Sequence, residues 1–346
     1  MKKPGESRSS ASATILDAAR TIRSGGLVVF PTETVYGLGA DALAAEAVDR
    51  IFAAKGRPPD NPLIVHIADS ADLDRVAGHV PAIARDLFAR FAPGPLTLVL
   101  PAHPDLAPAV TAGLATVAVR FPAHPVAIEL LRTCGRPLAA PSANRSGEPS
   151  PTTVAMARAS LGDAVGVYLD GGRCRVGLES TVASVSDDTV RILRPGAVTA
   201  EEIGEAVGGA RVEYAAIGPA ESAPSPGLRH RHYQPHAEVV TVEADDLEDG
   251  GLDGARLAKI SGPIGVIGVR DDVPTLVSLS GVSGKVQIFQ RVAADTPEYA
   301  RNLYRWFDEL DELGVRMIIA ILPTVDGIGL ALRDRLDRAS GGRMLG

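Results

Sequence analysis

A two-domain α/β fold is predicted from three features of the sequence. Apolar residues make up 45% of the 346-residue chain and are overwhelmingly aliphatic, with only 4% aromatic, so buried strands should read as runs of Val, Ile and Leu. Such runs alternate with stretches of helical apolar spacing. The alternation breaks once, at 208–237 (GGARVEYAAIGPAESAPSPGLRHRHYQPHA), a stretch rich in Gly, Pro, Ala and His without a sustained period, as expected of a linker. The length also exceeds what one core usually organises. The expected division is a disordered lead at 1–12, a first domain at 13–209, a linker at 210–237 and a second domain at 238–346.

Each element follows from its own residues. Helical spacing at 13–24 (ATILDAARTIRS) stops at Gly25-Gly26, a C-terminal signal, and 27–30 reads as a buried strand. Helices are predicted near 44–54, 82–91, 125–133, 153–161 and 199–207. Strands are predicted at 63–67, 96–100, 116–121, 137–140, 165–169, 181–185 and 190–193, with the turn-rich PSANRSGEPSPT after the 137–140 strand. The second domain restarts with strands at 239–242, 263–269 and 286–289. A helix at 297–313 follows, with Thr296 as N-cap, Pro297 in its first turn, and Leu303, Phe307, Leu310 and Leu313 as its buried stripe. A strand at 317–322 and a helix at 330–339 complete a small doubly wound unit.

Composition excludes several functions. Two cysteines, Cys134 and Cys174, are too few for a disulfide framework or a four-cysteine zinc site and fit a reducing cytoplasm. No apolar run approaches the roughly 20 residues of a membrane span, and the first residues lack the apolar core of a signal peptide. The net charge of −7 lies mostly in residues 237–346, with 12 Lys and Arg against 18 Asp and Glu. That is not the continuous basic footprint of a dedicated nucleic-acid binder.

Three segments look like one site: PTETVYGLG at 31–39, KGRPPDNP at 55–62 and PSAN at 141–144. Lys55 and Arg57, held between Gly and Pro, suit a pocket that neutralises several negative charges, such as a triphosphate with a carboxylate. The same cations could instead offset a helix dipole, with Gly56 ending the helix. Thr32, Glu33 and Thr34 follow a buried strand and need polar partners. Arg120 ends an aliphatic strand and wants a carboxylate, from the protein or a substrate. His66 lies on an otherwise apolar strand, where a lone histidine is more often a satisfied core residue than a ligand. Ser142 and Asn144 also read as turn formers, and Ser142 lacks the GxSxG elbow of a hydrolase nucleophile. His230, His232 and His236 have Tyr233 and arginines between them and no nearby cysteine, which does not make a zinc site. No Walker or dinucleotide fingerprint occurs.

Taken in order, PTETVYGLG, KGRPPDNPLIVHI, FAPGPLTLVL, TVAVRFP, APSANRSGEPSPT, GLESTVASV and RILRPG resemble the threonylcarbamoyl-AMP synthases of the YrdC/Sua5 family over about 14–207. SPGLRHRHYQP at 225–235 and the α/β unit after it are similar to the linker and C-terminal domain of the Sua5 branch. The resemblance implies a YrdC-like twisted mixed sheet with helices around a cavity, and a smaller Rossmann-like C-terminal domain. It implies that L-threonine, bicarbonate and ATP become L-threonylcarbamoyladenylate and pyrophosphate, for the N6-threonylcarbamoyl modification of tRNA adenosine 37.

Carried over by motif, Thr34, His66, Arg120, Ala140 and Ser180 resemble the family's threonine contacts, with Arg120 on the carboxylate. Arg57, Asn61, Thr116, Ser142, Ser150, Arg194 and Tyr233 match its ATP contacts. Lys55 and Arg57 form its Lys-x-Arg pair and Ser142 and Asn144 its Ser-x-Asn pair, the groups expected at the chemistry. Mg2+ would travel with ATP, without an all-protein metal cage. The linker's HYQP would act as a lid, although Leu228 and Gln234 depart from the family's Met and Ala. Implied partners are the tRNA threonylcarbamoyl-transfer proteins downstream, with contact to tRNA itself left open and no membrane. Two rivals remain: a double-stranded RNA or tRNA binding module, and a carbamoyl transferase of the hydrogenase-maturation type, whose zinc-finger cysteines and acylphosphatase unit are absent here.

Overall fold

The computed structural model describes residues 6–215, 233–248, 262–273 and 287–344, with 6–14 and 247–248 as backbone only. Two compact units result. Of the described residues, the first comprises 6–146, 150–175 and 179–215, and the second 147–149, 176–178, 233–248, 262–273 and 287–344. Among the described residues no helix is long and apolar enough to cross a membrane.

The first unit contains helices α1 (Glu6–Arg23), α2 (Ala45–Lys55), α3 (Ala82–Phe91), α4 (Pro108–Thr111), α5 (Pro125–Cys134), α6 (Val154–Leu161) and α7 (Ala200–Ala206). Its strands are β1 (Val28–Phe30), β2 (Gly37–Asp41), β3 (Ile64–His66), β4 (Leu96–Pro101), β5 (Thr116–Arg120), β6 (Leu138–Ala139), β7 (Val167–Tyr168), β8 (Thr181–Val185), β9 (Thr189–Arg194) and β10 (Arg211–Tyr214). They form one mixed sheet in the order β10-β9-β8-β4-β5-β3-β6-β2-β1-β7. The aliphatic core expected from composition is built from residues such as Val29, Leu38, Ile51, Val65, Leu98, Val119 and Ile192. A second cluster, including Ile22, Phe30, Leu130 and Leu138, joins α1 and α5 to the sheet.

Several elements differ from the sequence reading. Helix α1 begins at Glu6, so the lead expected at 1–12 is helical from residue 6, while 1–5 lie outside the described residues. Strand β2 escaped notice because GLGAD carries two glycines, which weaken a strand signal. The structure gives them a reason: a Cβ on Gly39 would stand 2.8 Å from Phe30 Cε1, and one on Gly37 3.2 Å from Phe30 Cζ. The Phe30 ring occupies the space a side chain would need, and β1 and β2 can pair antiparallel across it. Strand β10 lies within the expected linker yet pairs in parallel with β9. Residues 216–232, with Leu228, His230 and His232, lie outside the described residues.

The second unit has strands β11 (Glu238–Glu243), β12 (Ile264–Val269), β13 (Ile288–Ala293) and β14 (Met317–Leu322), and helices α8 (Ala244–Glu248), α9 (Thr296–Glu312) and α10 (Gly329–Ser340). The strands are all parallel, in the order β11-β14-β12-β13, the doubly wound arrangement expected of βα repeats. Helix α9 buries Leu303, Phe307 and Leu310 as predicted, but Leu313 sits at its C-cap and is 43% exposed. Its N-cap is Asp295 rather than Thr296: Asp295 Oδ1 accepts from the Glu298 backbone N–H at 2.7 Å. The carboxylate accepts more strongly than a hydroxyl and favours the positive helix end.

Candidate active site

Short parallel and antiparallel pairings set one polar row across the middle of the first sheet. In register, His66 on β3 lies opposite Arg120 on β5, and Arg120 lies opposite Thr97 on β4. Directly paired residues share a face of the sheet, so three polar side chains stand together on otherwise aliphatic strands. Thr97 Oγ1 in turn lies 2.7 Å from Ser180 Oγ, just before β8. Ala140 follows β6, its N–H donating to Ile64 O at 2.9 Å. The register therefore gathers four of the five residues assigned to threonine, and Thr34 comes from the β1–β2 loop.

That loop supplies the carboxylate that Arg120 was expected to want. Arg120 Nη2 donates to Glu33 Oε1 at 2.6 Å, and the Ala123 N–H donates to Glu33 Oε2 at 2.9 Å. Arg120 and Glu33 are only 4% and 2% exposed. Burial pushes the Glu33 carboxyl up, but the Arg120 guanidinium and the hydrogen bonds outweigh it and hold the carboxyl below its ordinary value. Thr32 Oγ1 lies 2.8 Å from Thr34 Oγ1 and donates to Val35 O at 2.6 Å, so the loop's hydroxyls lock its own backbone.

His66 is not a satisfied core histidine. Its Nδ1 is buried without a hydrogen-bond partner among the described residues, and its ring meets Phe30 edge-on at 5.9 Å. Burial, reinforced by the Arg120 charge, holds His66 down to about 3, so the ring is neutral. A buried, neutral, unpartnered nitrogen beside a guanidinium is a place for a polar ligand atom.

The charge-rich segment is built differently. Helix α2 ends at Gly56, whose φ of 60° is the left-handed conformation glycine adopts without strain. The helix-end reading is therefore true of the backbone, but Lys55 does not fray into solvent. It is 3% exposed, and its Nζ donates to Ser142 O at 2.5 Å and to Asn144 O. Arg57 donates from Nε to Asn61 O at 3.1 Å and from Nη2 to Pro62 O at 2.9 Å. Ser142 forms an isolated antiparallel bridge with Gly37. The three motifs separated in sequence thus meet: the KGR turn holds the PSAN loop, which pairs with the start of GLG. Thr116 opens β5, opposite Pro101.

Ser150 Oγ donates to Glu179 Oε1 at 2.5 Å. Arg194, buried at the end of β9, donates to the Ser180 carbonyl from Nε at 3.2 Å and Nη2 at 3.0 Å. Gly196 is required close by, since a Cβ there would stand 2.2 Å from the Thr181 nitrogen. Tyr233 belongs to the second unit, where its ring stacks on Tyr304 at 5.5 Å. Burial pushes Cys134 up to about 11 and Cys174 up to about 12, so neither offers a thiolate nucleophile. Among the described residues no three His, Cys, Asp or Glu side chains gather as a metal-binding group. Glu33, Thr97 and Glu179 were not assigned from sequence; the available signal was an acid or hydroxyl inside an apolar run.

Comparison with known proteins places the chain in a family. Residues 20–196 match the family model of Sua5, YciO and YrdC, described as telomere recombination, and residues 198–341 match that of the threonylcarbamoyl-AMP synthase C-terminal domain. The threonylcarbamoyl-AMP synthase of Pyrococcus abyssi is 43% identical over 95% of this chain and 94% of its own length. That of Bacillus subtilis is 42% identical over 96% and 94%. The crystal structure of P. abyssi Sua5 complexed with L-threonine superposes with a TM-score of 0.86 at 41% identity, covering 96% of each chain. On these matches across both domains, together with the ordered motifs and the site they build, the chain belongs to the Sua5 family of threonylcarbamoyl-AMP synthases.

Proposed function

We propose that the protein joins L-threonine, bicarbonate and ATP into L-threonylcarbamoyladenylate with release of pyrophosphate, supplying the activated group for tRNA adenosine 37. The observation that carries this reading is the buried row of Arg120, neutral His66 and Ser180, beside a turn that brings Lys55, Arg57, Ser142 and Asn144 together. A guanidinium and a neutral imidazole suit an amino acid's carboxylate and polar groups. The relatives' name, and the threonine in the P. abyssi complex, support threonine as that amino acid.

In this reading the threonine amine, carboxylated by CO2 from bicarbonate, becomes a carbamate whose oxygen attacks the α-phosphorus of Mg-ATP. The bond from that phosphorus to the bridging oxygen of the β-phosphate breaks, and pyrophosphate leaves with the electron pair. Arg57, Asn61, Thr116, Ser142, Ser150 and Arg194 bind ATP, and Thr34, His66, Arg120, Ala140 and Ser180 bind threonine. Arg57 offsets the charge gathering on the phosphates, while Lys55 and Asn144 hold the loop that presents Ser142. Mg2+ enters with ATP. Tyr233 remains an ATP contact by family resemblance, and the product passes to the proteins that transfer threonylcarbamoyl groups to tRNA.

Pyrophosphate release is expected to require threonine, bicarbonate and Mg-ATP together. Arg57→Ala should reduce it by about 10²–10³-fold, the usual cost of removing a group that stabilises transition-state charge. Release that ignores threonine, or an Arg57→Ala enzyme with wild-type turnover, would overturn the assignment.

A further inference from the structure

Thr97 and Ser180 present a proton count that the protein alone does not close. Both residues are 0% exposed, and their hydroxyl oxygens lie 2.7 Å apart. Arg194 Nη2 donates to Ser180 Oγ at 3.3 Å, and a guanidinium cannot accept. Among the described residues, each hydroxyl has only the other as acceptor. Two protons therefore share one protein acceptor relationship, and one is left over whichever hydroxyl donates.

The assignment of Ser180 to the amino-acid substrate selects which proton that is. Thr97 lies inside β4, paired to β5 on one edge and β8 on the other; the 2.7 Å contact allows either hydroxyl to donate, and when Thr97 donates the surplus proton falls to Ser180. Ser180 Oγ then accepts from both Thr97 and Arg194, filling its two lone pairs, and its own O–H is the surplus donor. A buried hydroxyl without an acceptor is costly, and the acceptor it lacks is an oxygen of the bound amino acid. Thr97 suits the task because a β-branched side chain has restricted χ1 and holds its oxygen in place. It also faces Arg120 across the β4/β5 pair, next to the group assigned to the substrate carboxylate.

We propose that Thr97 is a positioning residue for the amino-acid substrate: by donating to Ser180 it turns the Ser180 hydroxyl proton toward a threonine oxygen. The proposal rests on the reading of this site as a threonine-binding one. Thr97→Val keeps the shape and removes the hydroxyl. It should raise the threonine KM about three- to tenfold, the weight of one hydrogen bond, and leave the ATP KM unchanged. Thr97→Ser should restore a threonine KM near that of the wild type. In a Ser180→Ala background, Thr97→Val should add no further rise in threonine KM, because the effect passes through Ser180. An unchanged threonine KM in Thr97→Val, a parallel rise in both KM values, failure of Thr97→Ser to rescue, or simple additivity with Ser180→Ala would each overturn the proposal. Failure of the underlying reading would look different: the wild-type enzyme would show no threonine-dependent pyrophosphate release.

Discussion

Arg120→Ala is expected to destabilise the first unit by about 3–5 kcal/mol, the usual cost of leaving one member of a buried ion pair without its partner. The stranded group is Glu33, whose carboxylate loses the guanidinium and is left with backbone N–H partners such as that of Ala123. For a unit of about 200 residues this corresponds to a fall in Tm of roughly 6–20 °C. The pH dependence should also reverse. In the wild type the Glu33 pKa is lowered from 4.5, so its contribution is present above that value and lost as pH falls through the lowered folded pKa. Without Arg120, burial, the largest single influence on this carboxyl, is opposed only by backbone hydrogen bonds and moves the folded pKa up. The variant's deficit should then grow as pH rises from about 5 to about 8. Urea unfolding at those two pH values reads the sign directly, and adding Glu33→Gln to Arg120→Ala should recover part of the loss. A deficit that shrinks with rising pH, or no gain from Glu33→Gln, would show that the pair does not carry this stability. Threonine binding should fail in the same variant, since the guanidinium assigned to the substrate carboxylate is gone.

Lys55→Met is expected to have the next largest effect. Its Nζ bonds the carbonyls of both Ser142 and Asn144, and hydrogen bonds from a charged donor contribute about 1.5–3 kcal/mol each. Losing two while keeping the aliphatic stem should cost about 2–4 kcal/mol, allowing for partial relaxation. The larger loss should be in turnover. With the PSAN loop released, Ser142 and Asn144, the residues proposed for the chemistry, lose their fixed geometry, and a displacement of about 1 Å can cost about 10²-fold. Pyrophosphate release and urea unfolding on the same preparation test both parts. Wild-type turnover in a folded Lys55→Met enzyme would show that the loop keeps its position without the lysine.

Much of the fold was legible because aliphatic runs and helical spacing are local signals. Helices α2, α3, α5, α6 and α10, and strands β3, β4, β5, β8 and β14, fall close to where periodicity places them. Local signals fail where a distant side chain dictates the backbone. The glycines of β2 are explained by Phe30, and the strand character of β10 comes from pairing with β9 inside a stretch whose composition reads as linker. The site was legible as a set of residue types out of place: a histidine and an arginine on apolar strands, and two cations between glycine and prolines. Their partners were not. Arg120 and Glu33 lie 87 residues apart and Lys55 and Asn144 89 apart, and only the tertiary fold brings them together. Lys55 looked like a group for phosphates or a helix end, and the structure makes it the clamp of the loop bearing Ser142.

In the proposed reaction this site couples a carboxylated threonine to AMP. Mass spectrometry of the product formed with Mg-ATP, L-threonine and ¹³C-labelled bicarbonate tests it most directly. The expected product is an adenylate carrying threonine and one labelled carbon, absent when any of the three substrates is omitted. An unlabelled threonyl-adenylate, or AMP formed equally well without threonine, would contradict it.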